Sequence, residues 1–254
     1  MLPEIRQSLI LELLEKRGNI TSNQIAEQLK ISVSTIWRDL NALSLKGKVS
    51  KIHGGAIIRK KTDDFEFLFS TRLKKNVEDK RKIAKRAASL VEPYDVIAID
   101  TGTTATLFAS YLKSMSNISV ITASLGVVQE LIGAKGVYTV LLGGDVKEES
   151  MSTVGSMTLE HIKSLRIHKY FVGAAAIDSL RGTQDAYLFE REIKKELVSI
   201  SKERIVIADS TKFGRTSLAV VVDLGDIDII ITDNKVRETY KKSLKKSGIE
   251  VIIV

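Results

Sequence analysis

The chain has 254 residues, of which 44% are hydrophobic and 28% charged, with a formal net charge of +8 and no cysteine. This apolar content excludes a disordered chain, and the lack of cysteine excludes disulfides, thiolate zinc sites and cysteine nucleophiles. No apolar run approaches the ~20 residues of a membrane span, and the N-terminus mixes acids and bases, unlike a secretory signal, so we expect a cytoplasmic protein. The three histidines argue against a His-rich site, and we expect no metal.

The positive charge is concentrated at the N-terminal end. Residues 1–61 contain 11 lysines and arginines against five aspartates and glutamates, a net charge of +6, which leaves +2 for residues 62–254. A basic segment of this size suits a polyanion such as DNA.

Residues 1–59 are predicted to form a winged helix-turn-helix domain. The helical spacing of apolar residues over 5–14 predicts a first helix. The sequence Thr21-Ser22-Asn23-Gln24 is a capping box and predicts the start of a second helix. Ser32 is placed to cap a third helix, which carries an apolar stripe on one side.

A small basic wing is predicted to follow the third helix. It consists of a strand over 48–52, a turn over 53–55 and a return strand over 56–59. An alternative is a three-helix protein-binding domain with a solvated basic face. Against it, the capping box, the helix pair and the basic hairpin agree with one another.

The exposed side of the third helix and the wing carry residues suited to phosphates and base edges. The candidate DNA-binding residues are Thr21, Ser32, Ser34, Thr35, Trp37, Arg38, Asn41, Lys51, His53 and Gly54.

These motifs resemble the DeoR family of bacterial transcription regulators. The resemblance rests on the run Ser34–Leu40 and on His53-Gly54-Gly55-Ala56 at the family spacing. Trp37 stands where the family has the first arginine of an Arg-Arg pair, and Lys51 stands where the wing arginine lies. The Trp37 ring either packs on a sugar or thymine methyl, or packs at the helix edge; the first alternative bears on the operator sequence.

Residues 60–76 are predicted to be a charged linker whose aromatic residues dock on one domain or on a partner chain. Residues 77–254 alternate apolar runs with helical stretches, which predicts an α/β domain with a largely parallel sheet. The strands are expected at 96–99, 118–121, 137–142, 170–172, 205–208, 227–231 and 249–254. The helices are expected at 79–90, 105–111, 127–132, 190–200 and 236–246.

Small, hydroxylic and charged residues follow five of these strands, and in a parallel sheet such loops meet at one edge, where ligands bind. The candidate effector-binding residues are Asp100, Gly102, Thr103, Thr104, Thr122, Ser124, Gly143, Gly144, Glu190 and Lys212. In this set, carboxylates accept from sugar hydroxyls and a lysine neutralises a phosphate. The alternative for each loop is a tight turn with a helix cap. The sequence lacks nucleotide-binding glycine patterns, and no cofactor is expected.

The second domain also resembles the DeoR family. Lys80-x-x-Ile83-Ala84, the Asp100–Thr104 loop and Ser210–Gly214 look like its C-terminal domain. The resemblance implies a fold similar to sugar-phosphate isomerases and a sensor of phosphorylated sugars. Ala123 and Thr211 depart from the family pattern, which bears on the choice of sugar.

The expected function is a repressor of a sugar-utilisation operon, acting as a dimer or tetramer on double-stranded DNA, with a sugar phosphate as effector and no catalytic residue. One alternative is an isomerase-like enzyme, with Asp100 or Glu190 as the base and Lys212 as electrophilic partner. Another is a basic scaffold that binds nucleic acid without a ligand.

Overall fold

The computed structural model describes residues 2–17, 19–45, 48–52, 55–58 and 69–254. The chain divides into two compact units, Met1–Phe67 and Leu68–Val254. The boundaries of the three segments expected from the sequence stay predictions. None of the helices in the described part of the chain combines the length and the apolar character that a membrane span needs.

The first unit is a three-helix domain with a small antiparallel sheet. Its elements are α1 (Pro3–Arg17), β1 (Asn19–Thr21), α2 (Ser22–Leu29), α3 (Val33–Leu45), β2 (Val49–Ile52) and β3 (Gly55–Ile58). The three helices and the two wing strands confirm the sequence prediction. Strand β1 was not predicted; it pairs with β3, so the wing is a three-stranded sheet in the order β1-β3-β2. Its central residue Ile20 is buried in the core.

The capping box confirms the predicted start of α2. The backbone N–H of Gln24 donates to Thr21 Oγ1 at 3.2 Å, and the backbone N–H of Thr21 donates to Gln24 Oε1 at 2.9 Å. Lys30 ends α2 in the left-handed region at φ +53°. Ser32 then caps α3 as expected, because its hydroxyl oxygen accepts from the backbone N–H of Thr35 at 3.4 Å. The short break between Lys30 and Ser32 makes the turn of the helix-turn-helix.

The second unit is an α/β domain, and its elements fall into three groups. Its helices are α4 (Phe69–Leu73), α5 (Val77–Ala88), α6 (Thr103–Leu112), α7 (Leu125–Leu131), α8 (Ser156–Lys163), α9 (Leu188–Ser199) and α10 (Glu238–Lys246). The large sheet contains β4 (Val96–Ile99), β5 (Ile118–Thr122), β6 (Val137–Leu141), β9 (Ile167–Val172), β12 (Ser201–Ile207), β14 (Ile229–Thr232) and β15 (Glu250–Ile253). Shorter strands are β7 (Asp145–Lys147), β8 (Ser152–Val154), β10 (Ala176–Asp178), β11 (Gly182–Asp185) and β13 (Ala219–Val222).

The large sheet is parallel throughout and has the order β15-β14-β12-β9-β4-β5-β6. Each strand predicted from an apolar run is present in it, and the predicted helices form with ends shifted by at most two residues. Apolar residues of α5, α6 and α7 pack on one face of the sheet, and those of α8, α9 and α10 pack on the other. Since both faces are covered, β4 and the carboxyl-terminal halves of β9 and β12 are continuous apolar runs rather than alternating ones.

Several elements were not predicted. Helix α4 lies in the segment expected to be a linker, and α8 follows an unpredicted hairpin of β7 and β8. Strands β10, β11 and β13 form a separate antiparallel sheet. Strand β12 begins four residues earlier than expected, at Ser201, because its first half lacks the apolar run by which the strand was recognised.

Candidate functional site

The exposed side of α3 carries most of the predicted DNA-binding residues. Ser34, Arg38 and Asn41 are exposed, and Thr35 is half-buried. Trp37 is also half-buried and packs against the core of the first unit. The structure thus supports the packing interpretation of Trp37 and leaves Arg38 as the exposed cation of this helix segment.

The other predicted DNA-binding residues are placed less uniformly. The hydroxyl of Ser32 lies 3.1 Å from that of Ser34, so these side chains form a local hydrogen-bonded group. Thr21 is exposed, but its hydroxyl is engaged in the cap of α2. Lys51 lies in β2, where its backbone is opposite Ala56. The predicted contacts of His53 and Gly54 lie outside the described residues.

An ion pair that was not predicted from the sequence joins α3 to α1. Asp39 of α3 is buried and accepts from Arg6 of α1 through both guanidinium Nε and Nη2, the latter at 3.1 Å. Gln7 also donates to Asp39 Oδ1 at 3.4 Å. This contact is bidentate: two parallel N–H groups of the planar guanidinium donate to the two oxygens of the carboxylate. It therefore fixes the orientation of α3 against α1.

In the second unit, the order of strands changes direction between β4 and β9. The chain adds β5 and β6 on one side of β4 and the later strands on the other. Asp100 follows β4 directly, and its backbone N–H donates to Phe171 O at 3.0 Å. Its carboxylate accepts from the backbone N–H of Gly173, after β9, at 2.8 Å. This is the position at which open α/β sheets bind ligands.

Four buried charged residues meet at this position and are called here the acid–lysine cluster: Asp100, Asp185, Glu190 and Lys194. Lys194 Nζ lies 2.7 Å from Asp100 Oδ2 and 3.9 Å from Glu190 Oε2, and it also contacts Asp185 directly. None of the four side chains is more than 9% exposed. Ammonium and carboxylates therefore interact with little screening by water.

Burial and mutual charge change the pKa values within the cluster. Burial raises the pKa of Glu190 to about 7, helped by the charges of Asp185 and Asp100 and opposed by Lys194. Burial also raises the pKa of Asp100, against the effect of Lys194. Burial alone would lower the pKa of Lys194, but the three carboxylates outweigh it and raise the value above the ordinary lysine range. The ammonium therefore stays charged at neutral pH, while the pKa of Glu190 is shifted toward neutral pH.

Hydroxyl groups lie on the Glu190 side of the cluster. Thr101 Oγ1 donates to Glu190 Oε1 at 3.4 Å, and Ser152 Oγ donates to the same oxygen at 3.2 Å. Ser150 Oγ is 2.7 Å from Ser152 Oγ, so the buried strand β8 and the turn before it are joined to the carboxylate. A narrow pocket is lined by residues of the cluster and by Thr101 and Ser152.

Two of the predicted effector-binding hydroxyls are already used inside the fold. Thr122 Oγ1 donates to Ile99 O at 2.7 Å, and Ser124 Oγ accepts from the backbone N–H of Val127 as the cap of α7. Both side chains are fully buried. Their contacts match the alternative interpretation of this loop as a turn with a helix cap.

The predicted glycines play two different parts. Gly102 precedes α6 at φ +118°, and a Cβ added there would meet nothing within 4 Å, so its space is open. A Cβ on Gly144 would instead lie 2.3 Å from Thr158 Oγ1 and 2.3 Å from Val154 O, and Gly143 O accepts from Thr158 Oγ1. The Gly143–Gly144 pair thus allows the backbone to pack closely against α8.

The other predicted residues lie at the same edge of the sheet. Thr103 is buried and Thr104 half-buried in the first turn of α6. Lys212 is half-buried in the loop after β12, two strands from β4 in the sheet. The structure therefore brings Asp100 and Glu190 into direct contact with one cation, and that cation is Lys194 rather than Lys212.

Asp185 and Lys194 were missed from the sequence. The spacing of Glu190 and Lys194, four residues apart on one helix, is a signal that would have paired them. Lys194 lies in a charge-rich stretch of the helix, and such a stretch usually indicates a solvated helix face. Asp185 ends β11, which was not predicted, so nothing local marked it as part of the site.

Two domain families match the chain. Residues 6–62 match the DeoR-like helix-turn-helix domain, and residues 75–234 match the DeoR C terminal sensor domain. The HTH-type transcriptional regulator GolR of Listeria innocua is 33% identical over 253 residues, covering 100% of this chain and 99% of that protein. The lactose phosphotransferase system repressor of Staphylococcus epidermidis is 32% identical over 246 residues, covering 96% of this chain and 96% of that protein.

Among solved structures, ribose 5 phosphate isomerase A from Neisseria gonorrhoeae resembles part of the chain. The identity is 19% and the TM-score 0.40, covering 54% of this chain and 53% of that chain, which is too distant to indicate a function. Both matched families describe parts of a DNA-binding regulator, so an isomerase-like enzyme is not favoured. The chain belongs to the DeoR family of transcription regulators, with a helix-turn-helix domain that binds DNA and a C-terminal sensor domain.

Proposed function

We propose that this regulator represses a sugar-utilisation operon and that a phosphorylated sugar, bound at the carboxyl edge of the large sheet, changes its affinity for the operator. The observation that carries the proposal is the acid–lysine cluster at the point where the strand order reverses. Asp100 and Glu190 supply carboxylate oxygens that accept from sugar hydroxyls, and Lys194 keeps them from repelling each other. A relative named for a lactose phosphotransferase system gives independent support for a sugar.

The DNA half of the proposal uses the exposed side of α3. Ser34, Arg38 and Asn41 are exposed there and are of the types that contact phosphates and base edges. Because operators are commonly read by symmetric dimers, we expect a dimer or tetramer acting in the cytoplasm. A coupling of about 1–3 kcal/mol between effector and operator would change DNA affinity about 5–150-fold.

The test measures operator affinity of the full chain by fluorescence anisotropy on its own promoter DNA. The effector panel contains glucose 6-phosphate, fructose 1-phosphate, fructose 1,6-bisphosphate and tagatose 6-phosphate, each beside its unphosphorylated sugar. We expect affinity that falls steeply with salt and at least one sugar phosphate that lowers it. Failure to bind the promoter, or no response to any member of the panel, would contradict the proposal.

A matched pair of variants tests the site itself. Glu190→Gln removes a buried carboxylate of the cluster, whereas Glu192→Gln changes an exposed residue on the same helix. We expect the response to the sugar phosphate to be lost in the first variant and kept in the second. The alternative function, a sugar-phosphate isomerase, predicts that the protein interconverts aldose and ketose phosphates. Incubating it with the same sugar phosphates and assaying the products tests this alternative.

A further inference from the structure

Helix α4 is attached to the sensor domain at two places. A Cβ added at Gly126 of α7 would lie 3.1 Å from Cζ of Phe69, so the Phe69 ring packs closely on that helix. Lys80 Nζ of α5 donates to the backbone carbonyl of Arg72 at 2.5 Å. The backbone of α4 is thus anchored by Phe69 and Lys80. The guanidinium of Arg72 lies over the Phe69 ring, with Cζ 5.8 Å from the ring centroid, which leaves its N–H donors at the edge of the guanidinium plane.

The guanidinium of Arg72 has unused donors. Its Nη2 donates to the backbone carbonyl of Glu149 at 3.4 Å, a long hydrogen bond. Its Nε is buried and has no hydrogen-bond partner among the residues that the structure describes, and no carboxylate of that part of the chain forms a salt bridge with it. Buried guanidinium donors are normally satisfied, and a planar fork of five N–H groups suits an oxyanion.

Arg72 is connected to the acid–lysine cluster through the turn between β7 and β8. Its carbonyl partner Glu149 precedes Ser150, whose hydroxyl is 2.7 Å from that of Ser152, and Ser152 donates to Glu190 at 3.2 Å. The charges of Arg72 and of the cluster both act on the phenol of Tyr187. Burial raises the pKa of its phenol, the positive charge of Arg72 opposes the rise and the negative charge of Glu190 adds to it.

The cluster alone cannot hold the phosphate of an effector. It contains three carboxylates against one ammonium, so a phosphate placed among them would be repelled. A phosphorylated sugar needs a cation next to the cluster rather than inside it. Arg72 supplies such a cation, and its guanidinium has an N–H donor that is unpaired within the described part of the chain.

We propose that Arg72 holds the phosphate of the effector through its planar guanidinium, while the hydroxyls of the sugar bind the carboxylates of Asp100 and Glu190. This assignment rests on the proposed function. It gives the phosphate a different partner from Lys212, the residue expected from the sequence. It also ties the effector to α4, the first described helix after the wing in chain order.

The test is isothermal titration of the full-length protein with inorganic phosphate, with the sugar phosphates named above and with their unphosphorylated sugars. Arg72→Gln is expected to weaken phosphate and sugar-phosphate binding at least about tenfold and to leave any binding of the unphosphorylated sugar within about twofold. Arg72→Lys keeps the charge but not the fork, and a severalfold loss is expected. Arg81→Gln, an exposed arginine on α5, is the matched control and should change nothing.

The outcomes separate this assignment from the proposed function. Sugar-phosphate binding to the wild type that persists within twofold in Arg72→Gln overturns the role of Arg72 and leaves the proposed function standing. Sugar-phosphate binding that is lost in Lys212→Gln but kept in Arg72→Gln also overturns the role of Arg72 and leaves the proposed function standing. No binding of any sugar phosphate to the wild type overturns both. Should Arg72→Gln fail to fold, unchanged affinity of Arg72→Lys for every probe overturns the assignment.

Discussion

Replacing Lys194 by methionine is the sharpest test of the acid–lysine cluster. The substitution keeps the volume of the side chain but leaves Asp100, Asp185 and Glu190 buried without a cation within 4 Å among the described residues. Breaking a buried ion pair by removing one partner costs about 3–5 kcal/mol. At about 2–4 °C per kcal/mol for a domain of this size, the melting temperature should fall by about 6–20 °C.

The same substitution should make stability depend more strongly on pH than it does in the wild type. Without the ammonium, the pKa values of Asp100 and Glu190 in the folded protein rise further above their unfolded values. A carboxyl with a raised folded pKa binds its proton more tightly when folded, so the free energy of unfolding falls as pH rises between the two values. The loss caused by Lys194→Met should therefore be larger at pH 7.5 than at pH 5.5.

Urea denaturation at both pH values measures this effect. Lys195→Met is the matched control, because this neighbouring lysine is half-buried and has no ion pair in the described part of the chain. Adding Asp185→Asn to Lys194→Met removes one uncompensated charge and should recover part of the stability. A loss below about 1 kcal/mol at pH 7.5, or one no larger than at pH 5.5, would refute the electrostatic account of the cluster.

Three further changes follow from the described contacts. Glu190→Gln removes a carboxyl whose pKa in the folded protein is raised from the ordinary 4.5 to about 7. In the wild type this carboxyl lowers the free energy of unfolding by up to about 3 kcal/mol as pH rises from 4.5 to 7. In urea titrations of the variant this fall should largely disappear. Thr21→Ala breaks the capping box and should cost about 1 kcal/mol in thermal unfolding, whereas Asn23→Ala in the first turn of α2 should cost less. Arg38→Gln should weaken operator binding and lower the slope of log affinity against log salt by about one, whereas an unchanged slope would remove Arg38 from the phosphate contacts.

The large sheet could be predicted because its strands are buried on both faces. Runs such as Val96–Ile99 and residues 229–231 are continuously apolar and are bounded by polar residues. The hairpin of β7 and β8 could not be recognised, because Asp145–Lys147 and Ser152–Val154 are short and mostly polar. Their pairing is fixed by contacts across the fold, such as the backbone N–H of Thr153 donating to Ala123 O at 2.9 Å.

The site could be predicted only to the level of the sheet edge. Asp100 and Glu190 were identified because one follows a strand and both carry the expected chemistry. Lys194 and Lys195 are identical residues side by side, and only burial distinguishes the lysine of the cluster from its neighbour. Burial also decides that the hydroxyl of Thr122 serves the fold, since the sequence shows the residue type but not its partner.

The strand that precedes α2 has a practical consequence for building chimeric regulators. Thr21 is both the last residue of β1 and the cap of α2, and β1 is hydrogen-bonded to β3 rather than to its neighbour in sequence. Exchanging only the hairpin with that of a relative would pair a foreign strand with the native one. Segments 19–24 and 48–58 therefore form one transplantable cassette, and moving them together keeps the strand register and the start of the helix-turn-helix intact.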